Sequence, residues 1–165
     1  PLTAEIMQSK AQLPYLRAVV RETHRLTPST PVMVVRAAPC DLELGGFFVP
    51  EGTKLNFNIF AVQNDPKYVE RPEAFEPERW SPEAVQARAG TDAAVIDDKL
   101  LSAPFSFGAR MCLAGRVAEL EIYSIVAQLV RDWRFSLRER SAAWENVQPF
   151  LTVAEPFPAF KVEKC

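Results

Sequence analysis

The sequence predicts a mainly α-helical chain with small mixed β-sheets. Apolar residues recur at helical spacing in two segments, residues 13–26 and 113–130. Between and after these segments come short β-branched or aromatic runs that are interrupted by prolines and by a Gly-Gly pair. With 165 residues and 48% hydrophobic content, the chain is long enough for one compact domain or part of one.

The first helix is predicted over residues 13–26. Pro14 stands near its start, where a missing backbone N–H costs nothing, and Pro28 lies just beyond its end. Leu16 and Val19 fall on one face. This helix should therefore be amphipathic.

Short strands are predicted after the first helix. The candidate runs are residues 32–35, 41–44, 47–49 and 54–60. The Gly45-Gly46 pair separates two of these runs and predicts a hairpin. Strict alternation of apolar and polar residues makes the last run a half-buried strand.

Regular periodicity mostly fails from residue 65 to residue 104, where five prolines interrupt the chain. An irregular connection of this length is unusual in a compact domain unless it serves a site. The following helix, 113–130, is apolar over much of its circumference and is predicted to be mostly buried. Strand-like pieces follow at residues 133–137 and 150–162.

Charge and cysteine content exclude several classes of protein. A net charge of −2 and a pI near 5.6 argue against a general nucleic-acid binder, which normally carries a basic excess. Cys40, Cys112 and Cys165 lie far apart, so the sequence predicts neither a disulfide framework nor a paired-cysteine metal site. A reducing compartment is the simplest fit. No apolar run reaches transmembrane length.

The segment 105–114 carries the strongest chemical signal. Cys112 follows Arg110 by two residues, in a glycine-containing loop that leads into the second helix. A thiolate at a helix start is stabilised by the positive end of the helix dipole and by unpaired backbone N–H groups, which suits a thiolate bound to iron. Gly108 lets the loop pass close to a flat cofactor. Arg110 offers a guanidinium fork to a carboxylate, such as a haem propionate.

The sequence gives less support to other roles for Cys112. A buried structural cysteine is the commonest role of a single cysteine. A cysteine phosphatase loop needs an arginine six residues after the cysteine, where this chain has Ala118. A cysteine protease would have only His24 as its base. Zinc is disfavoured because the cysteines and the single histidine lack close ligand spacing.

Three motifs occur together and in order. They are Glu22-Thr23-His24-Arg25, then Phe75-Glu76-Pro77-Glu78-Arg79-Trp80, then Phe105-x-x-Gly108-x-Arg110-x-Cys112-x-Ala114. In this arrangement the sequence resembles the cytochrome P450 family of haem-thiolate monooxygenases, over essentially the whole chain.

The resemblance implies a role for each of these residues. Glu22, Arg25 and Arg79 would form a buried structural ion cluster, and Cys112 would be the axial ligand of the haem iron. Arg110 would bind a haem propionate. Phe105, Gly108 and Ala114 would complete the haem-binding loop, although the family more often has glycine where Ala114 stands.

Further basic residues also match positions of the family. Arg36 lies where many members place a second propionate-binding residue, and its alternative is an exposed arginine at a strand end. Arg17 and Arg21 resemble positions that receive an acidic iron–sulfur electron donor in mitochondrial-type members. Their alternative is a solvated basic helix face. His24 stands where the family usually has an apolar residue and is interpreted as a helix-surface or packing residue.

The resemblance implies a monooxygenase that holds haem b and inserts one oxygen atom from O2 into a small lipophilic substrate. Electrons would come from a ferredoxin-type donor or a flavoprotein reductase. Residues 1–165 would be the C-terminal, haem-ligating portion of a single P450 domain. The oxygen-activating residues and any membrane-associating segment would then lie upstream, in a protein of the mitochondrial or endoplasmic reticulum membrane.

Two other functions remain open on the sequence. One is an oxygen-independent haem-thiolate isomerase or dehydratase, and the other is a truncated, non-catalytic haem-binding fragment. Residues 31–33 and 150–152 are the predicted local contributors to a substrate pocket.

Overall fold

The computed structural model describes residues 3, 5, 6, 9, 12–30, 35–101, 104–139, 145–147, 153–155 and 158–165. The α-helices are α1 (Pro14–Leu26), α2 (Ile59–Gln63), α3 (Pro82–Arg88) and α4 (Gly115–Asp132). The strands are β1 (Arg36–Ala37), β2 (Leu42–Leu44), β3 (Phe47–Val49), β4 (Lys54–Leu55), β5 (Trp133–Leu137), β6 (Glu145–Val147), β7 (Val153–Glu155) and β8 (Phe160–Lys164). Short 3₁₀ turns occupy Pro77–Trp80, Asp92–Asp97 and Gly108–Arg110. Of these helices, none has the length and apolar character that a membrane crossing requires.

Helix α1 confirms the first predicted helix almost residue for residue. It begins after Leu13, whose φ of 54° is left-handed, and Pro14 takes the first helical position. At its end the Thr27 backbone N–H donates to the Thr23 carbonyl at 2.8 Å. Unusually, the buried positions of α1 include two charged residues, Glu22 and Arg25, beside Ala18.

The strands form small antiparallel pairs, which confirms the helical fold class with small sheets. The pairs are β1 with β4, β2 with β3, β5 with β8, and β6 with β7. The predicted hairpin is β2–β3, and its turn residues Gly45 and Gly46 have φ values of 56° and 82°. Glycine is favoured at both positions because the tight hairpin turn requires positive φ.

The strand predicted over residues 54–60 is wrong beyond Leu55. The Asn58 side-chain oxygen accepts a hydrogen bond from the Ala61 backbone N–H at 3.1 Å and caps the start of α2. A helix-capping asparagine thus outweighs the alternating apolar pattern. Of the strand predicted over 32–35, residues 32–34 lie outside the described residues, and the observed strand β1 begins at Arg36. The substrate-pocket segments 31–33 and 150–152 also lie outside the described residues.

The segment 65–104 contains more regular structure than its sequence predicts. Two 3₁₀ turns flank α3, whose start is capped by the Ser81 hydroxyl accepting from the Ala84 N–H at 3.1 Å. Val69, Trp80 and Ile96 of this segment pack with Ala18 of α1 in a buried apolar cluster. The proline-rich connection is therefore folded against α1.

Helix α4 is much less buried than predicted. Val117, Ile125 and Val130 are each more than half exposed, and only Gly115 and Ala127 of this helix are buried. In the described part of the chain α4 packs mainly against α1 and the following strand β5. These two neighbours cover only a fraction of its apolar circumference.

A buried ion cluster joins α1 to the segment 65–80. The Glu22 carboxylate, which has no exposed surface, accepts both the Nε and Nη2 protons of Arg25, at 3.0 and 2.9 Å. It also accepts from Arg79 Nε at 3.0 Å and from the indole N–H of Trp80 at 2.8 Å. A fifth hydrogen bond comes from the Glu76 backbone N–H at 3.0 Å. This arrangement confirms that Glu22, Arg25 and Arg79 lie together.

Arg25 has an acceptor for every N–H of its guanidinium. Besides its two bonds to Glu22, it donates through Nη1 to the Gln63 carbonyl at 3.2 Å and to the Asn64 side-chain oxygen at 2.9 Å. Its last proton goes to the Ala74 carbonyl at 3.1 Å. A fully satisfied guanidinium can remain buried and charged, because each lost water contact is replaced.

The same contacts act on the ionisation of Glu22. Burial alone would raise its pKa, but the hydrogen bonds from Arg25, Glu76 and Arg79 outweigh burial, and the pKa lies below its ordinary value. Glu22 is therefore an anion that holds α1, α2 and the segment 65–80 together.

Replacing Glu22 with glutamine should destabilise the fold. In E22Q a neutral amide turns donor hydrogens toward Arg25, Arg79 and Trp80. The Arg25 guanidinium loses the carboxylate with which it pairs, whereas Arg79 keeps its ion pair with Glu76 at 3.1 Å. We expect a loss of about 3–5 kcal/mol in the free energy of unfolding, measured by denaturant titration. The exposed Glu73 supplies the matched control, E73Q, which should change stability by less than about 0.5 kcal/mol. Equal stability of E22Q and wild type would contradict the structural role.

The Glu22 cluster should also make stability depend on pH. Because the pKa of Glu22 is lower in the folded chain, the unfolded chain binds the proton first as the pH falls below about 4.3. The contribution of Glu22 is therefore complete above that pH and is lost as the pH falls through the folded pKa. Denaturation midpoints measured from pH 7 to pH 3 should fall more steeply for wild type than for E22Q, and parallel curves would refute this assignment.

Candidate functional site

The cysteine loop is closed by three backbone hydrogen bonds. The Cys112 N–H donates to the Phe105 carbonyl at 2.9 Å, and the Met111 N–H donates to the Gly108 carbonyl at 3.1 Å. The Gly115 N–H donates to the Cys112 carbonyl at 3.2 Å, which leads the chain into α4. Cys112 is exposed and forms no disulfide. Its thiol is therefore presented on the surface of an ordered loop, so it is not a buried structural cysteine.

Two positive φ angles shape this loop. Ser106 has a φ of 63° and Gly108 a φ of 69°. Among the described residues, no atom lies within 4 Å of a Cβ atom added at Gly108. Glycine suits this position because other residues rarely adopt such a φ angle.

The Phe105 ring holds the loop between the two long helices. A Cβ atom at Gly115, the first residue of α4, would lie 3.1 Å from both Cβ and Cγ of Phe105. On the other side the His24 ring of α1 meets the Phe105 ring edge to face, with centroids 6.2 Å apart and planes at 74°. This close packing explains why glycine suits position 115.

The residues around Cys112 fit a haem group. Their donor set is one thiol and one exposed guanidinium, that of Arg110, and the apolar side chains beside them are also exposed. Leu113 is fully exposed, and Met111 and Phe107 are 49% and 38% exposed. A porphyrin needs an apolar surface, an axial donor and a cation for its propionates, and this loop offers all three. Ala114 lies at the N-terminal cap of α4.

Arg36 lies on a different element from the cysteine loop. It is half-buried in β1, where it pairs with Leu55 of β4, and its Nη1 donates to the Val35 carbonyl at 3.4 Å. Its predicted binding of the second propionate remains a prediction.

Arg17 and Arg21 make intramolecular contacts through their guanidiniums. Arg17 lies over the Tyr123 ring at 4.4 Å and donates to the Ser9 carbonyl at 3.0 Å. Arg21 lies over the Trp80 ring at 3.8 Å and pairs with Asp97 at 3.5 Å. Burial lowers the pKa of Arg21 and Asp97 partly offsets this effect, but the guanidinium keeps its charge.

Several residues of these clusters are not identified by sequence reasoning. Asn64 and Asp97 belong to no motif, and Trp80 ends the second motif without a predicted role, yet its indole connects Glu22 to the Arg21 guanidinium. The sequence feature that could have pointed to a role for Trp80 is its position next to Arg79, in a turn that begins with Pro77. Arg88 donates two hydrogen bonds to the Asp97 carboxylate, through Nε and Nη2. No sequence pattern predicts this bidentate contact.

Replacing Gly115 with alanine should disturb the cysteine loop. The added methyl group lies too close to Phe105, so the ring or the start of α4 must shift. We expect about 1–3 kcal/mol of destabilisation in denaturant unfolding, the usual cost of overpacking. Ala114→Gly, which removes a methyl group from the exposed neighbouring residue, should change stability by only a few tenths of a kcal/mol. A stabilised G115A variant would show that Phe105 does not constrain the loop.

Comparisons with known proteins agree with this geometry. The family profile described as Cytochrome P450 matches residues 4–160. Probable cytochrome P450 49a1 of Drosophila melanogaster is 38% identical over 125 residues, which are 76% of this chain and 21% of that protein. Ferruginol synthase of Isodon rubescens is 34% identical over 131 residues, 79% of this chain and 25% of that protein.

A solved structure shows the same fold. Retinoic acid bound cyanobacterial CYP120A1 superposes with a TM-score of 0.81 and 26% sequence identity, over all of this chain and 35% of that chain. This chain therefore spans between about a fifth and a third of the length of these relatives. From the ordered motifs, the buried ion cluster, the presented cysteine and these matches, we conclude that the chain belongs to the cytochrome P450 family.

Proposed function

We propose that this chain is the haem-ligating portion of a haem-thiolate monooxygenase that oxidises a small lipophilic substrate. The observation that carries the proposal is the presentation of Cys112 on an ordered loop, exposed, beside Arg110 and held between α1 and α4. The relatives named as synthases and cytochromes P450 support the same chemistry.

Cys112 would hold the haem iron through its thiolate, and Arg110 and Arg36 would pair with the two propionates of haem b. When bound, haem would supply the iron at which O2, two electrons from the donor and two protons yield one oxygen atom for the substrate and one molecule of water. The Cys112 thiolate would supply the electron density that favours this chemistry. Backbone N–H groups at the start of α4 would moderate this donation.

The loop backbone would set the geometry of the ligand. The hydrogen bond from the Cys112 N–H to the Phe105 carbonyl fixes the Cys112 backbone relative to the Phe105 ring. The Glu22 cluster fixes α1, on which His24 contacts that ring. The ion cluster would therefore act on the haem site through packing, without touching the haem.

The electron donor is proposed to be a small acidic ferredoxin-type protein that docks near Arg17 and Arg21, with a flavoprotein reductase as the other outcome of the test. Arg17 lies near the start of α1, and the side chain of Arg21 keeps 36% of its surface exposed. Both guanidiniums are braced by aromatic rings, so they can present fixed positive charge. A mitochondrial or endoplasmic reticulum membrane location is proposed with this assignment.

Replacing Cys112 with serine should abolish oxygen insertion. The serine hydroxyl is a poor ligand and supplies no thiolate, so the reduced protein under carbon monoxide should lose the red-shifted Soret band of a thiolate-ligated complex. Substrate-dependent O2 consumption should also fall to the uncatalysed level. Cys40 is exposed and lies before β2, so C40S is a matched control that should keep both signals. A C112S protein with an unchanged Soret band would overturn the proposed function.

Substrate turnover that persists without O2 consumption in the wild type would instead favour an isomerase or dehydratase. Wild-type protein that never takes up haem would favour a non-catalytic fragment. Turnover, O2 consumption and haem content can all be measured on the wild-type samples that are prepared for comparison with C112S.

Neutralising Arg17 should slow reduction by an acidic ferredoxin. In R17Q one positive charge is removed, so stopped-flow reduction should be several-fold slower at low ionic strength and less dependent on salt. R134Q is the matched control, because Arg134 is an exposed arginine in β5. If R17Q and R134Q reduce at the same rate and respond equally to salt, the docking assignment fails.

A further inference from the structure

His24 lies between the two anchored residues of α1. Glu22 and Arg25 on either side of it are fixed in the buried ion cluster, so the backbone that carries the imidazole has little freedom. From this position the His24 ring meets the Phe105 ring edge to face at 6.2 Å. Helix α1 thus contacts the cysteine loop through the His24 and Phe105 rings.

Phe105 contacts the cysteine loop through its backbone and through its side chain. Its carbonyl accepts the Cys112 N–H at 2.9 Å, and its Cβ and Cγ lie against Gly115 at the start of α4. A shift of the Phe105 Cβ and Cγ disturbs Gly115, which begins the following helix, and a shift of the Phe105 backbone moves the carbonyl that accepts from Cys112.

The His24 imidazole borders a cavity of about 540 Å³ between α1 and α4. Charged or titratable groups surround it from three elements: Arg17, Arg21, Glu22 and Arg25 of α1, Glu119 and Tyr123 of α4, and Lys99 of the intervening segment. Burial lowers the pKa of His24 below its ordinary value, and the nearby Glu119 only partly opposes this effect. The imidazole is therefore uncharged at neutral pH.

Protonation would change what His24 prefers to contact. An imidazolium carries two N–H donors that are best satisfied by polar or charged acceptors, and the Phe105 ring offers only a weak one. Glu119 on α4 attracts the imidazolium, since its charge opposes the lowering of the His24 pKa. Acid should therefore draw the ring toward Glu119 or solvent and release Phe105.

We propose that the uncharged His24 ring is a positioning residue for the cysteine loop, holding Phe105 against α4 and so fixing the backbone that presents Cys112. The proposal rests on the proposed function, in which Cys112 ligates haem. The positioning role should depend on pH, because protonation of the imidazole should weaken its contact with the Phe105 ring.

The test compares haem-loaded wild type with H24F, H24A and the control T23A, an exposed neighbouring position on α1. Haem loss and the thiolate-type Soret band of the reduced carbon monoxide complex are followed from pH 8 to pH 5. As the pH falls through the lowered pKa of His24, wild type and T23A should lose haem measurably faster, in a single titration step. H24F keeps an aromatic ring without a titrating group and should lack this step. H24A should lose haem rapidly at both ends of this pH range, because it lacks the ring that contacts Phe105.

A second measurement needs no haem. The imidazole resonance that disappears from the NMR spectrum in H24F is titrated in the haem-free protein with and without the F105A substitution. Loss of the Phe105 ring should admit water and raise the pKa of His24 toward about 6.5.

An unaltered pH step in H24F, or an identical imidazole titration in F105A, would overturn the positioning role. If wild type itself lacks the thiolate-type Soret band, the proposed function fails together with the link to Cys112. A normal band with no difference between wild type and H24F rejects only the role of His24.

Discussion

The fold of this chain depends on one carboxylate. Glu22 has no exposed surface and accepts five hydrogen bonds, from two arginines, one indole and one backbone amide. A buried carboxylate of this kind is favourable only when every neighbouring donor is in place, so the cluster selects a single arrangement of α1, α2 and the segment 65–80. The small apolar cluster of Ala18, Val69, Trp80 and Ile96 shares Trp80 with this ion cluster, so the two pack as one unit.

The two long helices, α1 and α4, and the charged motif were predictable from the sequence, because each signal is local, whereas the short helices α2 and α3 were not. Pro14 and Pro28 bracket α1, and Gly45-Gly46 determines the β2–β3 hairpin through its turn geometry. The segment 54–60 shows the limit of this reasoning. Its alternating pattern predicts a strand, but Asn58 caps a helix, and sequence alone does not show which of two local preferences prevails.

The contact of Glu22 with Arg79 was implied by the family resemblance, but the other long-range contacts were not predictable, because they join residues that carry no common pattern. The Trp80 indole reaches Glu22 across 58 positions, and Asn64 reaches Arg25 across 39. Within the candidate site, the cysteine loop itself was evident from its spacing of Phe105, Gly108, Arg110 and Cys112. The packing of the Phe105 ring between His24 and Gly115 emerges only when α1 and α4 are placed side by side.

The exposure of Cys112 also determines how the protein has to be handled. An accessible thiol at the start of a helix is open to peroxide, and oxidation beyond the sulfenic acid is irreversible in most proteins. In the proposed function, oxidation of Cys112 to a sulfinate would remove the thiolate that holds the haem iron. Cys40 and Cys165 are exposed as well, so intermolecular disulfides are a second route to loss of the free thiol. Purification of the haem-free chain therefore calls for reductant from the moment of cell lysis.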